Sequence, residues 1–179
     1  HEKIIQRIET ISTKISDEIK QKAKQEQQTA WIEVARKSSI LKQANAHSDK
    51  EEINALDQQF SSITTLPKDL EAKFNIIWQN LKEGKSESIN IINTNQAREI
   101  CIACEIAAGL ESPESDKALR MQLQVSRLSE GLSSGSENIS RESQLEKAMT
   151  NWYLSVGELG TDLSVFESRI ESARNKLLA

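Results

Sequence analysis

The sequence predicts an elongated all-α protein, with a long N-terminal helix in a coiled-coil-like hairpin or bundle and a C-terminal helical bundle after it. Three observations predict it. Helix breakers are scarce, with 6 Gly and 2 Pro in 179 residues. Apolar residues recur at three- and four-residue spacing along most of the chain, and no stretch alternates convincingly at period two, so no sheet is expected. Finally, neither Gly nor Pro interrupts Glu2 to Ala46. A helix of that length would run about 65 Å, whereas a compact globule of this size has a radius of gyration near 16 Å.

The first element is this long helix. Ile4, Ile8, Ile11, Ile15 and Ile19 step by four, three, four and four, the seam of an amphipathic helix with a near-heptad repeat. The stripe fades through "QKAKQEQQT" and resumes with Trp31, Val34, Ala35, Ile40 and Leu41. Next, "SDKE" at Ser48–Glu51 reads as a capping box, with Ser48 as N-cap and Glu51 reaching back. It opens a helix carrying Ile53, Leu56, Phe60 and Ile63, which "TTLP" then breaks. Leu70, Phe74, Ile77, Trp78 and Leu81 line a third helix, with Gly84 placed for a left-handed C-terminal cap. After a short loop, a helix is expected from near Glu87 to Ala108, ended by Gly109.

Ser112-Pro113 restarts the chain, with serine as N-cap and proline at the first helical position, where its missing donor costs nothing. Leu119, Leu123, Val125 and Leu128 line the helix that follows. "GLSSGSENIS", residues 131–140, reads as a flexible loop. Two helices close the chain on either side of "GELG": one carries Leu145, Met149, Trp152, Tyr153 and Val156, the other Leu163, Phe166, Ile170, Ala173 and Leu177. Residues 1–84 form one expected unit, the long helix plus a helical hairpin, and 85–179 a C-terminal bundle. The chain starts His1-Glu2, and it is expected to be a piece of a longer protein.

Charge and cysteine content narrow the chemistry. The net charge is −4, and residues 1–84 carry 13 basic and 13 acidic side chains, so the excess lies entirely in 85–179. Lys14, Lys20, Lys22, Lys24, Arg36, Lys37 and Lys42 make the first helix mildly basic and form a candidate interaction face, diluted by Asp17, Glu18, Glu26 and Glu33. Two cysteines make no disulfide scaffold and suit a reducing, cytoplasmic compartment. No run approaches the roughly 18 apolar residues of a membrane span, so no membrane partner is expected.

Cys101 and Cys104 form a C-x-x-C. Zinc would need four soft ligands, and the chain adds only His1 and His47. A thioredoxin-like pair sits at a helix N-terminus, whereas this one falls mid-helix among Ile100, Ile102, Ile106 and Ala107. The pair is read chiefly as two small buried apolar side chains, with a redox sensor as the next reading. Glu105 and Arg120 flank the turn at Gly109 and form a candidate structural ion pair, with Asp116 one turn before Arg120 as a competitor. The aromatics coincide with apolar stripes and are read as core rather than as base-stacking platforms. There is no Gly-rich phosphate loop, no G-x-S-x-G and no His pair at metal spacing, and His47 falls in a connection. No catalytic residue, metal or cofactor is expected.

The block "CIACEIAAGLESPESDKALRMQLQVSRLSEGL" resembles the C-terminal segment of large, mainly gammaproteobacterial helical proteins. Their repeated module is known as domain of unknown function three hundred and forty-nine. The shared pattern is a cysteine-containing helix with an acidic residue, a Gly-Leu-x-Ser-Pro turn and an Asp-x-x-Leu-Arg-Met-x-x-Gln helix. Here it is carried by Cys101, Glu105, Gly109, Leu110, Ser112, Pro113, Asp116, Leu119, Arg120, Met121 and Gln124. "LPKDLEAKFNIIWQNL" and "WYLSVGELG" are similar too, so the resemblance covers roughly 64–179 and leaves the first helix generic. It implies the end of a longer array of helices, with Glu105, Asp116 and Arg120 as residues to test, and it supplies no activity. The function expected is a non-enzymatic scaffold that engages a protein partner. The alternative is an RNA- or ribosome-associated factor using the basic face of the first helix. Self-association through the Ile4–Ile19 seam is a further expectation.

Overall fold

The long stretch without breakers forms a single helix, α1, from Glu2 to Ala46, and at 1.5 Å per residue its 45 residues span about 67 Å. A computed structural model of the chain describes residues 2–46, 49–85, 89–134 and 139–177. Burial divides α1 sharply in two. Residues 2–26 are all exposed, whereas Trp31, Val34, Lys37, Ser38, Leu41 and Ala44 are buried against the rest of the molecule. The first half therefore projects as an arm about 37 Å long.

α2 (Lys50–Ser62) and α3 (Lys68–Lys82) pack against the second half of α1. The capping residue of α2 is Asp49, whose side chain accepts from the Glu51 backbone N–H. Ser48 and His47 lie outside the described residues. Phe60 of α2 stacks on Trp78 of α3, ring centroids 4.2 Å apart, and meets Phe74 edge-on at 6.4 Å. This aromatic trio ties the hairpin together. Gly84 closes α3 at φ +71°, its N–H bonded to the Leu81 carbonyl, a conformation that L side chains rarely adopt.

The C-terminal part centres on α4 (Thr94–Ala108), which packs most extensively on α6 (Arg141–Tyr153) and α7 (Ser164–Leu177), and also on α5 (Lys117–Ser134). Between α3 and α4 the chain departs from expectation. Asn90–Ile92 is not helical but a strand, β1, pairing in parallel with β2 (Ser155–Gly157). Val156, expected in a helix, thus faces Ile91 across a two-stranded sheet. A three-residue strand is too short to show a period of two, and its partner lies 65 residues away. Asn93 then caps α4 through a reciprocal box with Gln96, an N-x-x-Q version of the signal sought as S-x-x-E. Glu87, the expected start of α4, lies outside the described residues.

Further on, Ser112 does not cap a helix. Pro113 leads into a 3-10 turn at Glu114–Asp116, and α5 starts only at Lys117. α5 continues through Ser134, so the first four residues of the expected loop are helical, while 135–138 lie outside the described residues. One hydrophobic core runs from Trp31 and Val34 through Phe60, Phe74 and Cys101 to Trp152, Ile170 and Ala173. Trp31 and Tyr153, 6.2 Å apart, join the long helix to the C-terminal helices within it.

Candidate functional site

Three places gather the residues singled out by sequence: a buried polar cluster beside the C-x-x-C, the lysines of α1, and the isoleucine seam of the arm.

The polar cluster starts from α4, which buries Glu105 at 3% exposure beside Cys101, Ile102 and Cys104. Its cation is Arg169 of α7. The Arg169 Nε donates to Oε1 at 2.7 Å and Nη2 donates to Oε2 at 2.8 Å, a side-on fork that uses the planar guanidinium fully. The third donor, Nη1, reaches Asp116 Oδ2 at 2.8 Å. Asp116 also lies 3.7 Å from Arg98 Nε.

The expected Glu105–Arg120 pair does not form directly. Arg120 donates to Ser112 Oγ at 2.9 Å, and Ser112 in turn donates to Glu105 Oε2 at 2.5 Å. Nor does Asp116 compete for Arg120, because Arg169 has taken both carboxylates. Arg169 was missed because its partners are 53 and 64 residues away. A faint signal existed: it interrupts the apolar stripe of α7 between Phe166 and Ile170.

Chemically the cluster is a clamp. Both Glu105 oxygens are engaged, and the Glu105 carboxylate strengthens the hold of Arg169 on its proton, raising its pKa further above the usual range. The two thiols are equally quiet. Burial pushes Cys101 up to about 12, with Glu105 and Asp116 adding to the shift and Arg169 opposing it. Cys104 is pushed up too, again mainly by burial. Burial thus favours the neutral thiol at both positions, which suits two small apolar core side chains rather than an activated nucleophile. Among the described residues no three His, Cys, Asp or Glu side chains are grouped so as to hold a metal ion.

The basic residues of α1 do not share one surface. Lys37 is buried at 2% exposure, its ammonium 4.2 Å above the Phe60 ring and donating to the Ile63 carbonyl at 3.1 Å. Lys42 lies 4.3 Å above the Trp152 ring and pairs with Glu167 at 3.2 Å. Arg36 is exposed but forked onto Glu33. Lys14, Lys20, Lys22 and Lys24 are exposed on the arm. At about 100° per residue, however, Lys20 and Lys22 point to nearly opposite sides of the helix. The aromatics are core residues, as read from their stripes: Trp31, Phe60, Phe74, Trp78, Trp152, Tyr153 and Phe166 are all buried.

What the arm does present is apolar. Ile4, Ile5, Ile8, Ile11, Ile15 and Ile19 are between 51% and 63% exposed. Where the arm enters the body, an open groove of about 780 Å³ is lined by Trp31, Leu66, Leu70, Glu26, Gln27 and Glu146. The outer face of α5 holds a second apolar stripe, Met121, Val125 and Leu128, each at least 60% exposed. Val125 and Leu128 thus face outward, and Leu119 and Leu123 are the half-buried leucines of that helix. No helix among the described residues is long and apolar enough to cross a membrane.

No family model matches the chain, and neither a curated protein nor a solved structure matches it.

Proposed function

We propose that the protein is a non-enzymatic helical scaffold that holds a protein partner along the isoleucine face of its projecting arm. The observation that carries this reading is the exposure of six isoleucines, Ile4 to Ile19, on a helix that has left the body. A contiguous apolar stripe of this kind on a surface marks an interaction site, and the seam spacing is that of a helix-in-groove or coiled-coil contact. Two features support binding over catalysis: the carboxylates of the polar cluster are fully engaged by arginine, and burial keeps the thiols protonated. The scatter and burial of the α1 lysines support a protein partner over RNA, which would need a coherent basic surface.

A photo-crosslinking amino acid placed at Ile8 or Ile15 of the protein, activated in its native cells, tests the proposal. A nuclease-resistant protein adduct at these positions, absent when the crosslinker sits at Gln6 on the polar side of the arm, is the expected result. Adducts to RNA alone, or none at the seam, would sink it.

A further inference from the structure

We infer that the occupant of the isoleucine seam is a second copy of the same arm, paired in parallel and in register. This inference rests on the reading of the seam as the binding face and names its partner. The argument begins with the arrangement of charge around the arm. Spacing assigns Ile8 and Ile15 to the a positions of a heptad and Ile4 and Ile11 to d, with Ile5 and Ile19 at e. On the helix wheel, Lys3, Arg7 and Lys14 fall along one side of this seam. Ile5, Ser12 and Ile19 fall along the other, with Glu2, Glu9 and Lys20 further round, away from the seam.

One flank is therefore basic and the other, at Ile5, Ser12 and Ile19, is uncharged, and that difference selects an orientation. In an antiparallel two-fold pair each flank meets its own copy, which sets Arg7 against the partner's Lys14. In a parallel pair the g positions Arg7 and Lys14 of one arm instead meet the e positions Ser12 and Ile19 of the other, so no like charges face each other along the seam. The next two core positions are Glu18 and Lys22, which end the apolar contact with opposite charges one turn apart. In a parallel in-register pair Glu18 faces its own copy in one layer and Lys22 its own copy in the next, so the apolar contact is confined to the layers from Ile4 to Ile15.

Area and geometry agree. Six half-exposed isoleucines offer roughly 600 Å² per copy, so a pair would bury about 1,200 Å², the low end for a specific interface. The seam lies roughly 100° around the helix from the stripe that faces the body, Trp31 to Ala44. A second arm laid on the seam thus runs beside the body, and a two-fold axis along the arms sends the two bodies to opposite sides. Isoleucine at both a and d also favours more than two strands, and a cyclic parallel trimer keeps the same flank-to-flank pairing.

Sedimentation equilibrium of the chain from about 5 to about 200 µM reads the association, since interfaces of this area include micromolar ones. The weight-average mass is expected to rise from one copy to at least two across this range. Ile4→Cys reads the orientation: mild oxidation is expected to give an Ile4→Cys-linked dimer, which the antiparallel register forbids by holding the two positions far apart. The double variant Ile8→Asp/Ile15→Asp is expected to abolish both signals while the thermal unfolding of the body is unchanged, because these residues touch no part of it. A chain that stays monomeric at the highest concentration overturns the inference. So does association without the Ile4→Cys crosslink, or association that survives the double variant. A monomer whose Ile8 still crosslinks to a different protein would overturn the second copy as occupant and leave the scaffold reading standing.

Discussion

Arg169 is the residue on which the polar cluster turns, because it is the only side chain in hydrogen-bond contact with both Glu105 and Asp116 among the described residues. Each carboxylate is 3% exposed, so the two would be left without their main countercharge if the guanidinium were removed. Breaking a buried pair from one side costs about 3–5 kcal/mol, far more than the pair itself contributes. Arg169→Met is therefore expected to destabilise the protein by about that amount in urea denaturation, and Arg120→Met by about 1–3 kcal/mol, since Arg120 acts on Glu105 only through Ser112. Equal losses in the two variants would contradict the geometry. The acidic members were legible in the sequence because Glu105 and Asp116 stand at helical positions beside apolar neighbours. Their cation was not, because periodicity is local and says nothing about which distant helix will lie alongside. The hairpin at Gly109 made Arg120 the nearest candidate, and the hydroxyl of Ser112 fills the space where that direct contact was expected.

At the scale of the element, α1 does two jobs with one backbone, and its covered lysines, Lys37 buried and Lys42 half-buried, show where the change occurs. Lys42 brings an ammonium into the core, where burial lowers its pKa; the charge of Glu167 and its hydrogen bond offset only part of that shift. The sign follows directly. A base whose folded pKa lies below its unfolded value penalises the fold while charged, and the penalty is relieved as pH rises through the folded pKa toward about 10.4. Lys42→Met keeps the stem packed on Trp152 and removes the charge, leaving Glu167 partly exposed to water. The variant is expected to be more stable than the parent by on the order of 1 kcal/mol at pH 7, the gap narrowing toward pH 10. Urea titrations at both pH values check it. A variant less stable at pH 7 would show that the ring contact and Glu167 outweigh desolvation. From sequence these lysines looked like solvated surface, because a basic side chain between apolar neighbours does not reveal that its stem is covered. The long helices, by contrast, were readable in their existence and core stripes, since breakers and stripes are local features, while the ends of α4, α5 and α6 were not. The short β1–β2 pair was not, being a tertiary pairing of two three-residue segments.

For the whole molecule, the decisive contrast is between a body with a continuous core and an arm with none. The body holds its part of α1 by burying Trp31, Val34, Leu41 and Ala44, whereas residues 2–26 are exposed along their whole length. A helix of that kind in water is marginal, because nucleation is costly and most helical stability in proteins comes from a packed face. The arm should therefore open locally at low free-energy cost, and the body only at a cost near that of global unfolding. Hydrogen exchange separates the two. Amides of residues 31–46 are expected to be protected to the same degree at every concentration. Those of residues 4–22 are expected to exchange fast in dilute solution and to slow at least tenfold as copies associate, because binding stabilises the folded arm by mass action. Trypsin should show the same division, cutting first at Lys14, Lys20, Lys22 and Lys24 and sparing the buried Lys37 and the half-buried Lys42. An arm as protected as the body in dilute monomer would mean that its helix needs no partner. The isoleucine seam would then lose its role as the part of the molecule completed by binding.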